Sequence, residues 1–199
     1  MRFLPLAAAS LAALCAPIAA HAADMAVAPV QALDDGLLGI MKAGKAAGVK
    51  GRAARIGPVV ERSFDLPLMT RLAVGSSWTS IAPAQQTALV AAFKRMTVGQ
   101  YATNFDGWSG ESFVIAPDVE TRGGDKLVRT TLKDPKGSDV AIAYRLRQSG
   151  GEWKIIDVFY KNAISQIATR RSDFAAVLNR GGAPALIAHL DALAAKNGG

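Results

Sequence analysis

Apolar residues recur at helical spacing through the first half of the chain and at alternating spacing through the third quarter, so the hydrophobic period itself divides the sequence. Over residues 30–43, Leu33, Leu37, Leu38 and Met41 stand three or four apart and predict a helix with one apolar face. A glycine-dotted basic connector, residues 44–51, follows. Residues 52–63 then carry Ile56, Val59 and Val60 on one side of a second helix, with Pro58 either kinking it or marking its first turn. Asp65 is placed to cap a short third helix that has Pro67 in its first turn, contains Leu68, Met69 and Leu72, and ends at Gly75. The clearest pattern is over residues 83–105, where Leu89, Phe93, Met96, Val98, Tyr101 and Phe105 form a broad apolar face. Gln85, Gln86, Lys94, Arg95 and Gln100 are set mainly on the other sides, which reads as one long amphipathic helix.

After Gly110 the period shortens to two. Residues 113–116, 119–122, 126–133, 139–147 and 153–160 are short β-prone runs separated by Pro, Gly and Asp turns. Turns this short join antiparallel neighbours, since a parallel crossover needs a dozen or more residues. In the fourth run Val140, Ile142, Tyr144 and Leu146 share one face, and Ala141, Ala143, Arg145 and Arg147 the other. Two helices, residues 164–178 and 184–195, close the chain on either side of Gly181-Gly182. Helices first, a twisted antiparallel meander of four or five strands next and helices last predict an α+β fold. Helices curled against one face of the sheet would enclose an apolar cavity, an NTF2-like arrangement with helical additions.

Residues 1–22 stand apart from this pattern. Arg2 gives a positive start, residues 3–20 are almost entirely apolar, and Ala20-His21-Ala22 sets small residues where a signal peptidase reads, so cleavage is expected after Ala22. Leu14 before Cys15 is too bulky for a lipoprotein site. Residues 23–29 are expected to be a flexible start and residues 30–196 one domain, working outside the cytoplasm. Removing the segment takes away Arg2, Cys15 and His21. It lowers the formal net charge of the 199-residue chain from +7 by one, and leaves no cysteine and one histidine. Thiol catalysis, disulfide exchange and a Cys/His zinc site are thereby excluded, and the fold must be held by its core.

Few constellations point to chemistry. Gly39 to Ala46 follows the spacing of a phosphate-binding loop, but Ala46 lacks the hydroxyl that holds magnesium and the segment before it looks helical. Lys42, Lys45, Lys50, Arg52 and Arg55 form a basic stretch without interleaved aromatics, which argues against nucleic acid. His189 lacks a second histidine for a metal pair, and Ser76 and Ser77 sit in no Gly-x-Ser-x-Gly elbow. Asp157 interrupts an apolar strand near Tyr144, and the two could form a proton-transfer pair in an enzyme of this fold. The alternative is that Asp157 caps a helix or pairs with Arg170 or Arg171, and a third reading is an adaptor that binds only protein. The aromatic and methionine inventory, Trp78, Phe93, Met96, Tyr101 and Trp108 among it, is to be placed between one small sheet and several helices.

Residues 64–78, Gln85-Gln86, Phe93, Tyr101, Tyr144-Arg145-Leu146, residues 153–158 and Arg171-Ser172-Asp173-Phe174 together resemble the MlaC-type, or toluene-tolerance, family of periplasmic lipid-binding proteins. The likeness spans about residues 30 to 195. Within the family, residues 164–168 and 170–174 look most like the hopanoid-associated HpnM branch, which usually has glycine where this chain has Asn162. Asparagine is the next most tolerant residue in a left-handed turn.

The resemblance implies a carrier without catalysis or cofactor that holds a phospholipid or hopanoid and moves it between the inner and outer membranes. It also implies transport complexes in both membranes as partners, associated with an ABC transporter and with outer-membrane lipid asymmetry. A monomer is expected. The residues expected to line the pocket are Met69, Leu72, Phe93, Met96, Val128, Leu132, Ile142, Tyr144 and Trp153, from the long helix, the short helix before it and the apolar sheet face.

Overall fold

Leu33, Leu37 and Met41 of the first predicted helix share one buried face, with Leu38 only half-buried beside it, in a computed structural model that describes residues 24–197. Residues 1–22, the expected export signal, lie outside that range. Helix α1 (Val27–Ala43) starts three residues earlier than the apolar pattern indicates. Ala26 is fully buried and the Asp24 carboxylate pairs with Lys126, so the chain is anchored where a flexible start was expected. Helix α2 (Gly48–Ser63) absorbs half of the glycine-dotted connector and holds Pro58 in its interior. It approaches α1 closely at Gly36, where any Cβ would stand 3.0 Å from Ile56 and Val59. Arg52, expected on a basic surface, is buried instead. Its Nε donates to the Ala102 carbonyl and its Nη1 to that of Gly44, each at 2.7 Å, which satisfies carbonyls near two helix ends.

Helix α3 (Leu66–Val74) is capped as its sequence suggests, with the Leu68 amide donating to Asp65 Oδ1 at 3.0 Å. A short 3-10 stretch (Gly75–Ser80) leads to α4 (Pro83–Asn104), whose Leu89, Phe93 and Met96 are buried. The strands are β1 (Ser112–Ile115), β2 (Glu120–Arg122), β3 (Asp125–Lys133), β4 (Val140–Ser149), β5 (Glu152–Tyr160) and β6 (Ile164–Ser165). All pair antiparallel, in the order β1-β3-β4-β5-β6.

Two details differ from a simple meander. β1 and β2 do not pair with each other; β1 lies along residues 130–133 of β3 and β2 along residues 125–127, end to end on one edge. Pro117, which has no amide hydrogen to give the ladder, sits in the break between them. The sixth strand, Ile164–Ser165, occupies what reads in sequence as the start of a helix and pairs with Phe159 and Tyr160.

Helix α5 (Gln166–Lys196) is two helices joined at a break. Gly181 has φ −155° and ψ 17°, Gly182 has φ 63°, and Pro184 follows. The loss of helical geometry falls at the predicted glycine pair because Gly182 adopts a left-handed φ that side chains disfavour. The core lies between α1 to α5 and one sheet face, along the rows Val128–Tyr144–Val158 and Thr130–Ile142–Tyr160. On the opposite face Asp125 accepts from Arg145 Nε at 2.6 Å and from Arg147 Nε at 2.6 Å. Arg147 in particular holds that carboxyl below its ordinary pKa.

Candidate functional site

A cavity of about 280 Å³ opens between α4, the sheet and the first turns of α5. Helix α4 supplies most of one wall. Phe93, Thr97, Tyr101 and Asn104 follow one another at three- and four-residue steps, with Gln100 beside Tyr101, so they lie on one face over roughly 16 Å of helix. β4 adds Ile142 and Tyr144, β5 adds Val158 and Tyr160, and Leu37, Phe64 and Met69 close the floor. Gln166 and Arg170 of α5 complete the opposite wall.

Burial grades along this lining. Leu37, Phe64, Met69, Phe93, Thr97, Ile142 and Tyr144 are buried, Gln100, Phe105, Gln166 and Arg170 are half-buried, and Asn104 and Tyr160 are exposed. The depth of the cavity is therefore mainly apolar, with Thr97 a buried hydroxyl in it, and its outer part mixes the amides of Gln100, Asn104 and Gln166 with Tyr101, Phe105, Val158 and Tyr160. Aromatic packing fixes the wall: the Tyr101 ring lies 6.1 Å from Phe64 and 6.0 Å from Phe105, and Phe93 meets Phe174 edge-on at 6.4 Å.

Behind the lining lies a buried polar cluster. Asp34 of α1 is fully buried, and Tyr144 donates to its Oδ1 at a long 3.4 Å. Asp34 Oδ2 and Thr130 Oγ1 have no hydrogen-bond partner among the described residues. Burial pushes the Asp34 carboxyl up to about 7, against the opposing contribution of the Tyr144 hydroxyl. Burial likewise raises the phenols of Tyr101 and Tyr144.

Arg170 is the one cation of the lining. Its Nη2 donates to Gln100 Oε1 at 2.6 Å, its Nη1 approaches Met96 Sδ at 3.1 Å, and its guanidinium lies 5.6 Å from the centre of the Phe93 ring. Burial pulls its pKa down from the ordinary value, but a guanidinium stays charged at neutral pH.

Of the expected pocket residues, Met69, Phe93, Ile142 and Tyr144 line the cavity. Met96 is fully buried against Arg170, and Val128 is fully buried in the sheet row beside Tyr144. Leu72 lies on an outer groove with Asp157 and Ser165, where its carbonyl accepts from Arg171 Nε at 2.9 Å. Leu132 sits near the end of β3 between Phe113 and Val140, and Trp153 lies under Lys126 at 5.0 Å. Trp108 is half exposed on a loop outside the core. Leu37, Thr97 and Arg170 are lining residues that the sequence pattern leaves unselected, although the step from Phe93 to Thr97 to Tyr101 is visible as a helix face.

The Asp157–Tyr144 pair does not form. Asp157 is the cross-strand partner of Arg145, one position from Tyr144, so the two side chains point to opposite faces of the sheet. The Asp157 carboxylate accepts from the Val158 amide at 2.8 Å, Ser165 Oγ at 2.5 Å and the Ile167 amide at 3.1 Å. It caps the start of α5 and is spent on that role. Neither Arg170 nor Arg171 hydrogen-bonds or ion-pairs with it among the described residues. No group of three or more His, Cys, Asp or Glu side chains among the described residues could hold a metal ion, and His189 stands half-buried on α5.

The family model described as MlaC protein matches residues 31–192. A solved structure of a phospholipid-binding protein from Ralstonia solanacearum, in complex with a phospholipid, aligns with a TM-score of 0.75 at 24% identity. The alignment covers 87% of this chain and 99% of that one. At this identity the likeness establishes the shared fold. A search of curated proteins finds no match.

Proposed function

This chain belongs to the MlaC family, and from that premise we propose that it is a lipid carrier that holds hydrocarbon tails in the cavity between α4 and the sheet. The carrying observation is the grading of that cavity, mainly apolar in its depth, with the polar groups of Gln100, Asn104, Gln166 and Arg170 all in its outer part, which suits a molecule with a greasy end and a polar one. The phospholipid complex of the Ralstonia protein, which has the same fold, supports a phospholipid as ligand. A hopanoid is the counterpart reading from the HpnM-like residues 164–168 and 170–174.

Transport through water needs such a site. Each methylene removed from water is worth about 0.8 kcal/mol, so leaving two acyl chains exposed costs on the order of 20 kcal/mol. The carrier works outside the cytoplasm, where residues 1–22 address it, and shuttles its lipid between inner and outer membranes as a monomer. Complexes in the two membranes load and unload it. A cavity of about 150 Å³ already takes up benzene, so about 280 Å³ receives part of a tail. Full occupancy by a longer tail requires the walls to part.

Ile142→Trp tests the reading. Residue 142 points from the middle of β4 into the cavity, and an indole there fills the space a tail would use. The variant is expected to lose most of its bound lipid, measured by extraction from the purified protein, with its circular dichroism unchanged. Undiminished occupancy would remove the cavity from the account.

A further inference from the structure

Resting on the carrier reading, we infer that Arg170 is the recognition site for an anionic oxygen of the bound amphiphile, a phosphodiester or a carboxylate, and that the cavity thereby selects charged lipids over uncharged ones of the same tail.

The inference starts from a charge without a counter-charge. Arg170 lies in the cavity wall, half-buried, and its three described contacts are a neutral amide oxygen, a thioether sulfur and an aromatic face. No carboxylate stands within ion-pair distance among the described residues, and Asp173, three residues along the same helix, is exposed. Several other arginines among the described residues are answered by a carboxylate or by more than one backbone carbonyl. Arg145 and Arg147 share Asp125, Arg95 meets Asp191 at 2.6 Å, and Arg52 is held by two carbonyls.

A cation set into an apolar wall costs free energy unless something compensates it. Of the five N–H donors of a guanidinium, the contacts above occupy two, which leaves three to receive oxygens of a ligand. Gln100, Gln166 and Asn104 add neutral amide groups around the same opening. The Phe93 ring and Met96 sulfur hold the guanidinium from below, so the charge is positioned before a ligand arrives. A lipid whose tail enters toward Ile142 and Tyr144 brings its polar end to the level of Gln100 and Arg170. An uncharged polycyclic or diacyl alcohol offers the cavity the same tail and leaves the cation unanswered.

The test presents dioleoylphosphatidylglycerol, oleate and uncharged dioleoylglycerol to the delipidated full chain, to Arg170→Met and to Arg170→Lys, and reads occupancy by native mass spectrometry. Methionine matches much of the side-chain length and orphans no carboxylate, and thermal unfolding verifies that the variant is folded. Arg170→Lys keeps the charge and tests the fork. Wild type is expected to hold phosphatidylglycerol at least tenfold over dioleoylglycerol, since hydrogen bonds to charged groups are worth about 1.5–3 kcal/mol. Arg170→Met is expected to lose that preference while retaining the diacyl alcohol, and Arg170→Lys to fall between. A parallel loss of oleate binding would assign the site to any anionic oxygen, and a loss confined to the phospholipid would assign it to the phosphodiester. An unchanged preference in Arg170→Met overturns the inference and leaves the carrier reading standing. A wild type that takes up none of the three overturns both.

Discussion

Asp34 shows how one residue can set a pH dependence for the fold. Its carboxyl is buried beneath the cavity and titrates near 7, against 3.8 for an ordinary aspartate. Between those values the folded chain keeps the proton and the unfolded chain releases it, so stability falls as pH rises from about 4 to about 7 and is level above. The shift corresponds to an effect on the order of 4 kcal/mol. Asp34→Asn, which cannot ionise, is expected to flatten that slope, so that its urea midpoint exceeds that of the wild type at pH 7.5 but not at pH 4.5. Parallel pH profiles for the two proteins would show that Asp34 is not protonated in the fold. Asp34 is not legible as special in the sequence, and Arg170 is legible only as one of two adjacent arginines offered to Asp157, a pairing that neither makes. Asp34 sits beside Asp35 in an ordinary helical run, and only the packing of α1 against the sheet, where Asp34 meets Tyr144 of β4, makes one buried while the other remains exposed. Arg170 and Arg171 are adjacent on a helix, and tertiary contacts alone send one into the cavity and the other to the Leu72 carbonyl.

At the scale of the element, the start of α5 depends on a neighbour in space. Asp157 accepts from Ser165 and from the Ile167 amide, while Ser165 Oγ accepts from the Ala168 amide at 2.9 Å, so a strand carboxylate and a local cap share the work. Asp157→Ala is expected to lower stability by about 1–3 kcal/mol, because a buried amide loses its acceptor. Asp157→Asn, which keeps one acceptor, should lose less. Equal stability of all three proteins in urea would deny the cap. Helices with a strong apolar period were legible, α1 and α4 above all, and so was the break at Gly181-Gly182, which needs a left-handed φ. Asn162 also adopts the left-handed turn expected for it, with φ 57°. The pairing of β1 and β2 along one edge of β3 was not legible, since alternation identifies strands and says nothing of which edge they join. The short β6 was hidden for the same reason, its two residues being formed by the ladder alone.

For the whole molecule, the helices are arranged so that two neighbouring sheet rows, Ile142–Tyr160 and Tyr144–Val158, face a partly open space bounded by α4 and α5. Core and cavity residues are chemically alike, which is why Met96 and Val128 could be selected with Phe93 and Ile142 and yet end in the packed interior. The division is made by where α5 crosses α4, a feature of the assembled fold. Family membership and the shared fold give this space its meaning, and the claim that it holds a lipid is the centre of the account. The most direct measurement is native mass spectrometry of the protein purified under mild conditions from its native source, followed by extraction and identification of whatever is released. One phospholipid per chain is the result the account predicts, with Ile142→Trp largely empty. A wild-type chain that emerges empty and takes up no added phospholipid would contradict it.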